Sequence, residues 1–160
     1  MRKALIVTAL AAAVATTSAS AAGYVGGSVG SGATIHYQND LSTNSALRYG
    51  LNLDATNFNF KALSVNATVD YLSDFAGVGS LGGFAPYYGV GLGVGAGLGD
   101  NFGLSVYPHG LVGLRYNVTA PLSVFVEGTA GAQVRVGTGN NATNVKFGSN
   151  ARIGLNYRLP

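Results

Sequence analysis

No cysteine occurs in the 160 residues, and its absence excludes disulfides, thiol catalysis and thiolate metal sites together. Charge is almost as scarce. Asp, Glu, Lys and Arg make up 9% of the chain, whereas a soluble surface carries roughly 25–35% of them. Much of the exterior therefore needs surroundings other than water. Histidine is limited to His36 and His109, and neither has a partner at metal-ligand or triad spacing. No cofactor is expected.

What is present begins with Met1-Arg2-Lys3, an unbroken run of apolar and small residues from Ala4 to Ala15, and Ser18-Ala19-Ser20-Ala21-Ala22. A positive start, an apolar stretch and a small-residue cleavage site read as a secretory signal peptide over residues 1–21. The run is shorter than the roughly 18 apolar residues of a spanning helix. Removing Arg2 and Lys3 from the nine basic residues leaves seven against six acidic ones. The basic pI thus belongs largely to the leader and implies no nucleic-acid partner. The rest, residues 22–160, is long enough for one small domain.

From Val145 to Leu159 the odd positions read Val, Phe, Ser, Ala, Ile, Leu, Tyr, Leu, and the even ones Lys, Gly, Asn, Arg, Gly, Asn, Arg. A period of two held this long marks a strand with unlike faces. Ordinary soluble strands run to about five or six residues, so this one suits a bilayer crossing. Strands are expected at 22–29, 33–39, 45–54, 60–72, 85–98, 102–117, 121–136 and 144–159, bounded by the Gly, Asn, Asp, Ser and Pro residues that make turns. Short turns imply antiparallel neighbours in an up-and-down meander. The first two strands share one parity across Gly30 to Gly32, which fits one long strand or a hairpin pairing Val25 with Tyr37. The hairpin gives eight strands.

Arg48, Asp54, Asp70, Arg115, Glu127, Arg135, Lys146, Arg152 and Arg158 all lie on the polar parity of their segments. Lys61 alone lies on the apolar parity, near a strand end where it can snorkel. Such a sheet closes into a barrel, apolar inside if soluble and apolar outside if in a membrane. Tyr87 to Leu98 decides between them. One face is Tyr87 followed by Gly89, Gly91, Gly93, Gly95 and Gly97, and the other is Tyr88, Val90, Leu92, Val94, Ala96 and Leu98. A row of glycines is a poor water-facing surface but makes room inside a narrow barrel. The expected fold is an all-β, eight-stranded antiparallel transmembrane β-barrel, apolar outside with a filled interior.

Centring the turn at Gly99 to Asn101 on Asp100 sets Gly89 opposite Leu111, Gly91 opposite His109, Gly93 opposite Tyr107 and Tyr87 opposite Gly113. Every large inward group then meets a glycine, the complementarity of a side-chain-filled barrel. The next hairpin, centred near Thr119, sets Leu111 opposite Glu127 and His109 opposite Thr129. In the last, Arg152 falls opposite Glu127 or one pair away at Thr129. An internal Glu127–Arg152 ion pair is expected, with Arg115 or Arg135 as further members. His109 and Tyr107 share the same inward face. Buried charges must be paired or they cost several kcal/mol each; the alternative is a wet lumen with unpaired charges.

Competing motifs are weak. The uncharged stretch between Asp74 and Asp100 would make a helix only at up to about 1 kcal/mol for each interior glycine, and its period is two. Gly91 to Ala96 matches a G-x-G-x-x-A fingerprint with no helix to open after it. The sequons at Asn66, Asn117 and Asn141 read as incidental.

Pro86-Tyr87-Tyr88-Gly89-Val90-Gly91-Leu92-Gly93, the segment Val112 to Thr119 before Leu122 to Glu127, and the closing Arg152-Ile153-Gly154-Leu155-Asn156-Tyr157-Arg158-Leu159 resemble small eight-stranded outer-membrane β-barrel proteins of the OmpA/OmpX-like type. The resemblance spans residues 22–160. With the secretory start, the inverted faces and the lack of a catalytic set, the expectation is a monomer in the outer membrane, with outer-membrane lipid and the assembly machinery as partners, no catalysis, and a structural envelope role or narrow passage. With both ends in the periplasm, the outer connections would be short and the long Ser73 to Gly83 segment would lie inside. A small-solute pore and a secreted soluble barrel holding an apolar ligand are the rival readings. A surface adhesin fits poorly, since the outer connections carry few aromatics besides Phe58.

Overall fold

The structure, a computed structural model, describes residues 22–55, 63–77, 82–97, 103–137 and 144–160. The expected leader, Phe58, Lys61 and the turn at Gly99 to Asn101 lie outside those residues. Eight strands follow in order: β1 (Gly23–Val29), β2 (Ala33–Asp40), β3 (Ser45–Ala55), β4 (Leu63–Asp74), β5 (Phe84–Gly97), β6 (Gly103–Asn117), β7 (Leu122–Gly137) and β8 (Asn144–Arg158). Each pairs antiparallel with the next, and β8 returns to β1, so the sheet is closed. Where β1 and β8 pair, from Tyr24 with Arg158 to Val29 with Ile153, closure removes the lipid-exposed edges that a bilayer does not tolerate.

The faces follow the parity of the sequence. Val90, Leu92, Val94, Ile153 and Leu155 are all exposed on the outer wall, while Arg48, Asp70, His109 and Glu127 are buried inside. The wall is inverted relative to a soluble barrel. A soluble barrel holding an apolar ligand would need the opposite arrangement.

Three register expectations hold. Val25 pairs with Tyr37 across the Gly30 to Gly32 turn; Tyr87, Gly89, Gly91 and Gly93 face Gly113, Leu111, His109 and Tyr107; and Arg152 faces Glu127. The β6–β7 register differs from expectation by one pair on the inner face. Leu111 faces Thr129 and Gly113 faces Glu127, while His109 faces Gly131. The reason is local: Val118 N and Thr119 N both donate to Leu122 O, so the turn centres on Ala120 rather than Thr119. β4 also runs on to Asp74, two residues past its expected end.

Following the paired residues once around from Ser28 leads to Asn144 on β8, yet Ser28 itself faces Gly154. The register has advanced by ten residues in one circuit, the stagger that tilts strands by roughly 35–45° in a small barrel. Such a bore is filled by side chains. The rim carrying both termini is stitched by backbone bonds between neighbouring connections, among them Asp40 N to Ala22 O, Asp74 N to Asn44 O and Arg158 N to Pro121 O.

Candidate functional site: a charged plug across the bore

Two rows of paired residues meet inside the barrel. One runs Arg48, Asp70, Gly91, His109 across β3 to β6, and the other runs Tyr87, Gly113, Glu127, Arg152 across β5 to β8. Each row contains a glycine where the neighbours need the space. A Cβ at Gly91 would sit 2.6 Å from His109 Nε2, and one at Gly113 would sit 2.6 Å from the Tyr87 hydroxyl. Both distances are shorter than real Cβ contacts allow. Glycine therefore lets the long polar groups close across the bore.

Arg48 joins the rows. Its Nη2 donates to Asp70 Oδ2 at 2.9 Å and to Glu127 Oε2 at 2.8 Å, and its Nε donates to the same Asp70 oxygen at 3.2 Å. Arg152 Nε donates to Glu127 Oε1 at 2.7 Å, and its Nη2 lies 3.6 Å from Asp70 Oδ2. The Tyr87 hydroxyl donates to Glu127 Oε2 at 2.9 Å. His109 places Nε2 3.0 Å from Asp70 Oδ1 and Nδ1 3.1 Å from the Tyr107 carbonyl oxygen. Two guanidinium groups thus share two carboxylates, and Asp70 and Glu127 are each 1% exposed. A buried ion that lost its partners would cost several kcal/mol, so this set stands or falls together.

Apolar groups pack against the network. Among the described residues, Ala46, Leu72, Tyr87, Leu111 and Phe125 are the buried hydrophobic ones. The Arg48 guanidinium lies 5.8 Å from the Phe125 ring centre, and His36 meets that ring edge-on at 5.7 Å while its Nε2 shares a 2.6 Å hydrogen bond with Asn156 Oδ1. Toward the terminal rim lies a polar vestibule of about 160 Å³, bordered by Tyr24, Asp40, Asp74, Arg115, Ser123 and Asn156.

The six residues singled out from sequence divide. Glu127, Arg152 and His109 meet in the plug. Tyr107 stacks on His109 with ring centres 4.8 Å apart, and its carbonyl oxygen lies 3.1 Å from His109 Nδ1. Arg115 is not a member: β4 extends to Asp74, whose Oδ1 accepts from Arg115 Nη2 at 3.2 Å at the terminal rim. Arg135 is not a member either, because it lies far up β7 opposite Asn144, exposed and without an ion pair to a described residue. The centre of the network, Arg48 with Asp70, was legible only as two charges on the polar parity. Nothing in the connection between β3 and β4 supplied a turn centre from which to pair them.

Among the described residues, no group of three or more His, Cys, Asp or Glu is placed to hold a metal ion. No protein-family model matches this sequence. No curated protein matches it either. Solved structures do. The N-terminal β-barrel domain of Pseudomonas aeruginosa OprF is 14% identical, with a TM-score of 0.58 over 87% of this chain and 96% of that one. Neisserial surface protein A is 17% identical, with a TM-score of 0.55 over 87% of this chain and 94% of that one. Likeness at this level speaks for the architecture.

Proposed function

For a chain with the fold of the small eight-stranded outer-membrane β-barrels, we propose an integral outer-membrane protein with a closed bore, serving the structure of the envelope rather than conduction or catalysis. The observation that carries the reading is the plug: Arg48 on β3 pairs with Asp70 and, across the bore, with Glu127 on β7, Arg152 joins Glu127, and Tyr87, Leu111 and Phe125 are buried in the same interior. An ion entering from the vestibule would have to displace a buried ion pair. On this reading residues 1–21 are an export leader, the assembly machinery inserts the chain, and lipid covers the Val, Leu and Tyr wall.

Two measurements test it. Membrane fractions run boiled and unboiled should show the mobility shift of a folded barrel, and recovery from the soluble periplasm without detergent would end the proposal. Single-channel recording in planar bilayers should give no current above background for the purified protein. Steady conductance would replace the structural role with the pore reading.

A further inference from the structure

The wall of this barrel is uneven in height. β7 and β8 run for 16 and 15 residues, but β1 and β2 for only 7 and 8. At about 3.3 Å per residue and a tilt near 40°, the tall side stands roughly 35 Å and the short side roughly 18 Å. A membrane barrel's apolar band is about 25 Å tall. The tall side spans it and the short side does not.

The register places the gap. The last β1–β8 pair is Val29 with Ile153, and beyond it Asn150 Nδ2 donates to Ser31 Oγ at 2.9 Å on the β1–β2 turn. Above that point Asn144–Ser149 of β8 pair, among the described residues, with β7 alone. All six are exposed, Phe147 to 84%. No described residue pairs with their other edge, and backbone groups on such an edge are not tolerated by hydrocarbon but can be satisfied by a polar ligand. On the outer face Val29, Ile35, Val145 and Phe147 flank the gap with apolar surface.

Charge selects the ligand. Arg135 and Lys146 lie on the inner face beside this edge as diagonal neighbours, since Gln133 faces Lys146 and Arg135 faces Asn144; such positions are roughly 7–8 Å apart. Both are exposed, and neither forms an ion pair with a described residue. An Arg and a Lys with free edge amides make a phosphate site, the first binding in a planar fork and the second as a point charge. A peptide strand would satisfy the edge and leave both cations unanswered.

We propose that the notch above the β1–β2 turn binds an outer-leaflet lipid bearing a phosphate headgroup, with the phosphate against Lys146, Arg135 and the β8 edge and an acyl chain along the apolar flank. The inference rests on the membrane placement proposed above. The test uses the purified full-length barrel in nanodiscs of phosphatidylcholine, alone or mixed with phosphatidic acid, and native mass spectrometry of the lipids retained. Phosphatidic acid should be retained in preference to phosphatidylcholine. Arg135→Gln with Lys146→Gln should lower that preference about tenfold or more, while Arg135→Lys with Lys146→Arg keeps it. Arg158→Gln, at the opposite rim, should change nothing. Equal retention of the two lipids, or an unchanged preference in the double Gln variant that still shows the folded-barrel mobility shift, overturns the site. Full competition by inorganic phosphate would reassign it to a soluble anion. Protection of the Asn144–Ser149 amides from hydrogen exchange only when a partner protein is added would reassign it to strand addition. A chain that never enters nanodiscs would defeat the membrane placement itself, a different failure from a folded barrel that retains no phosphatidic acid.

Discussion

Toward the terminal rim, Arg48, Arg115 and Arg152 each meet a carboxylate and neighbouring connections exchange backbone hydrogen bonds, whereas toward the far rim, among the described residues, Arg135 and Lys146 meet no carboxylate and Asn144–Ser149 of β8 pair with β7 alone. The difference follows from access to water. Where Tyr87, Leu111 and Phe125 exclude solvent, an unpartnered charge is prohibitively costly and every ion finds its complement. Near the far rim Arg135 and Lys146 are exposed, and the pairing of an exposed cation is worth little. One half is constrained by burial and the other is left free for recognition.

The sharpest way to break that contrast is Glu127→Ala. It leaves Arg48 and Arg152 sharing one carboxylate and should cost about 3–5 kcal/mol, read by urea unfolding of the lipid-reconstituted barrel. A loss below about 1 kcal/mol would mean that the plug is as wet as the upper bore. Leu92→Arg probes the wall instead, and a charge near the midplane of the lipid face should cost roughly 2–4 kcal/mol in the same assay. No loss would place that face in water. Tyr87→Phe removes one hydrogen bond to a buried carboxylate and should cost about 1.5–3 kcal/mol; unchanged stability would show that Glu127 is satisfied without it. At the far rim Lys146→Gln should shift stability by less than about 0.5 kcal/mol. A larger loss would make Lys146 part of the fold and erase the distinction between the two halves.

Much of the fold was readable because side chains alternate across a strand. Nine charges on one parity and the row from Tyr88 to Leu98 on the other were enough to orient the wall. Registers were readable where a turn had an evident centre, as between β5 and β6, where glycines meet large partners. The β6–β7 turn is less legible, because the bonds from Val118 N and Thr119 N to Leu122 O centre it on Ala120 and bring Glu127 level with Gly113 instead of Leu111. That step of one pair is what puts Glu127 within reach of the Tyr87 hydroxyl. Asp74 was similarly hidden, since nothing local shows that β4 continues far enough to meet Arg115.

By itself the chain determined the alternation, hence the closed antiparallel sheet with greasy residues outward and glycine and ions inward. Arg48 and Asp70 face each other on the neighbouring strands β3 and β4, and only closure decided that Arg48 would also reach Glu127 of β7 on the opposite wall. The physical reason is the bore: side chains from opposite walls meet in a space whose width and stagger depend on all eight strands at once, and no local pattern encodes that distance.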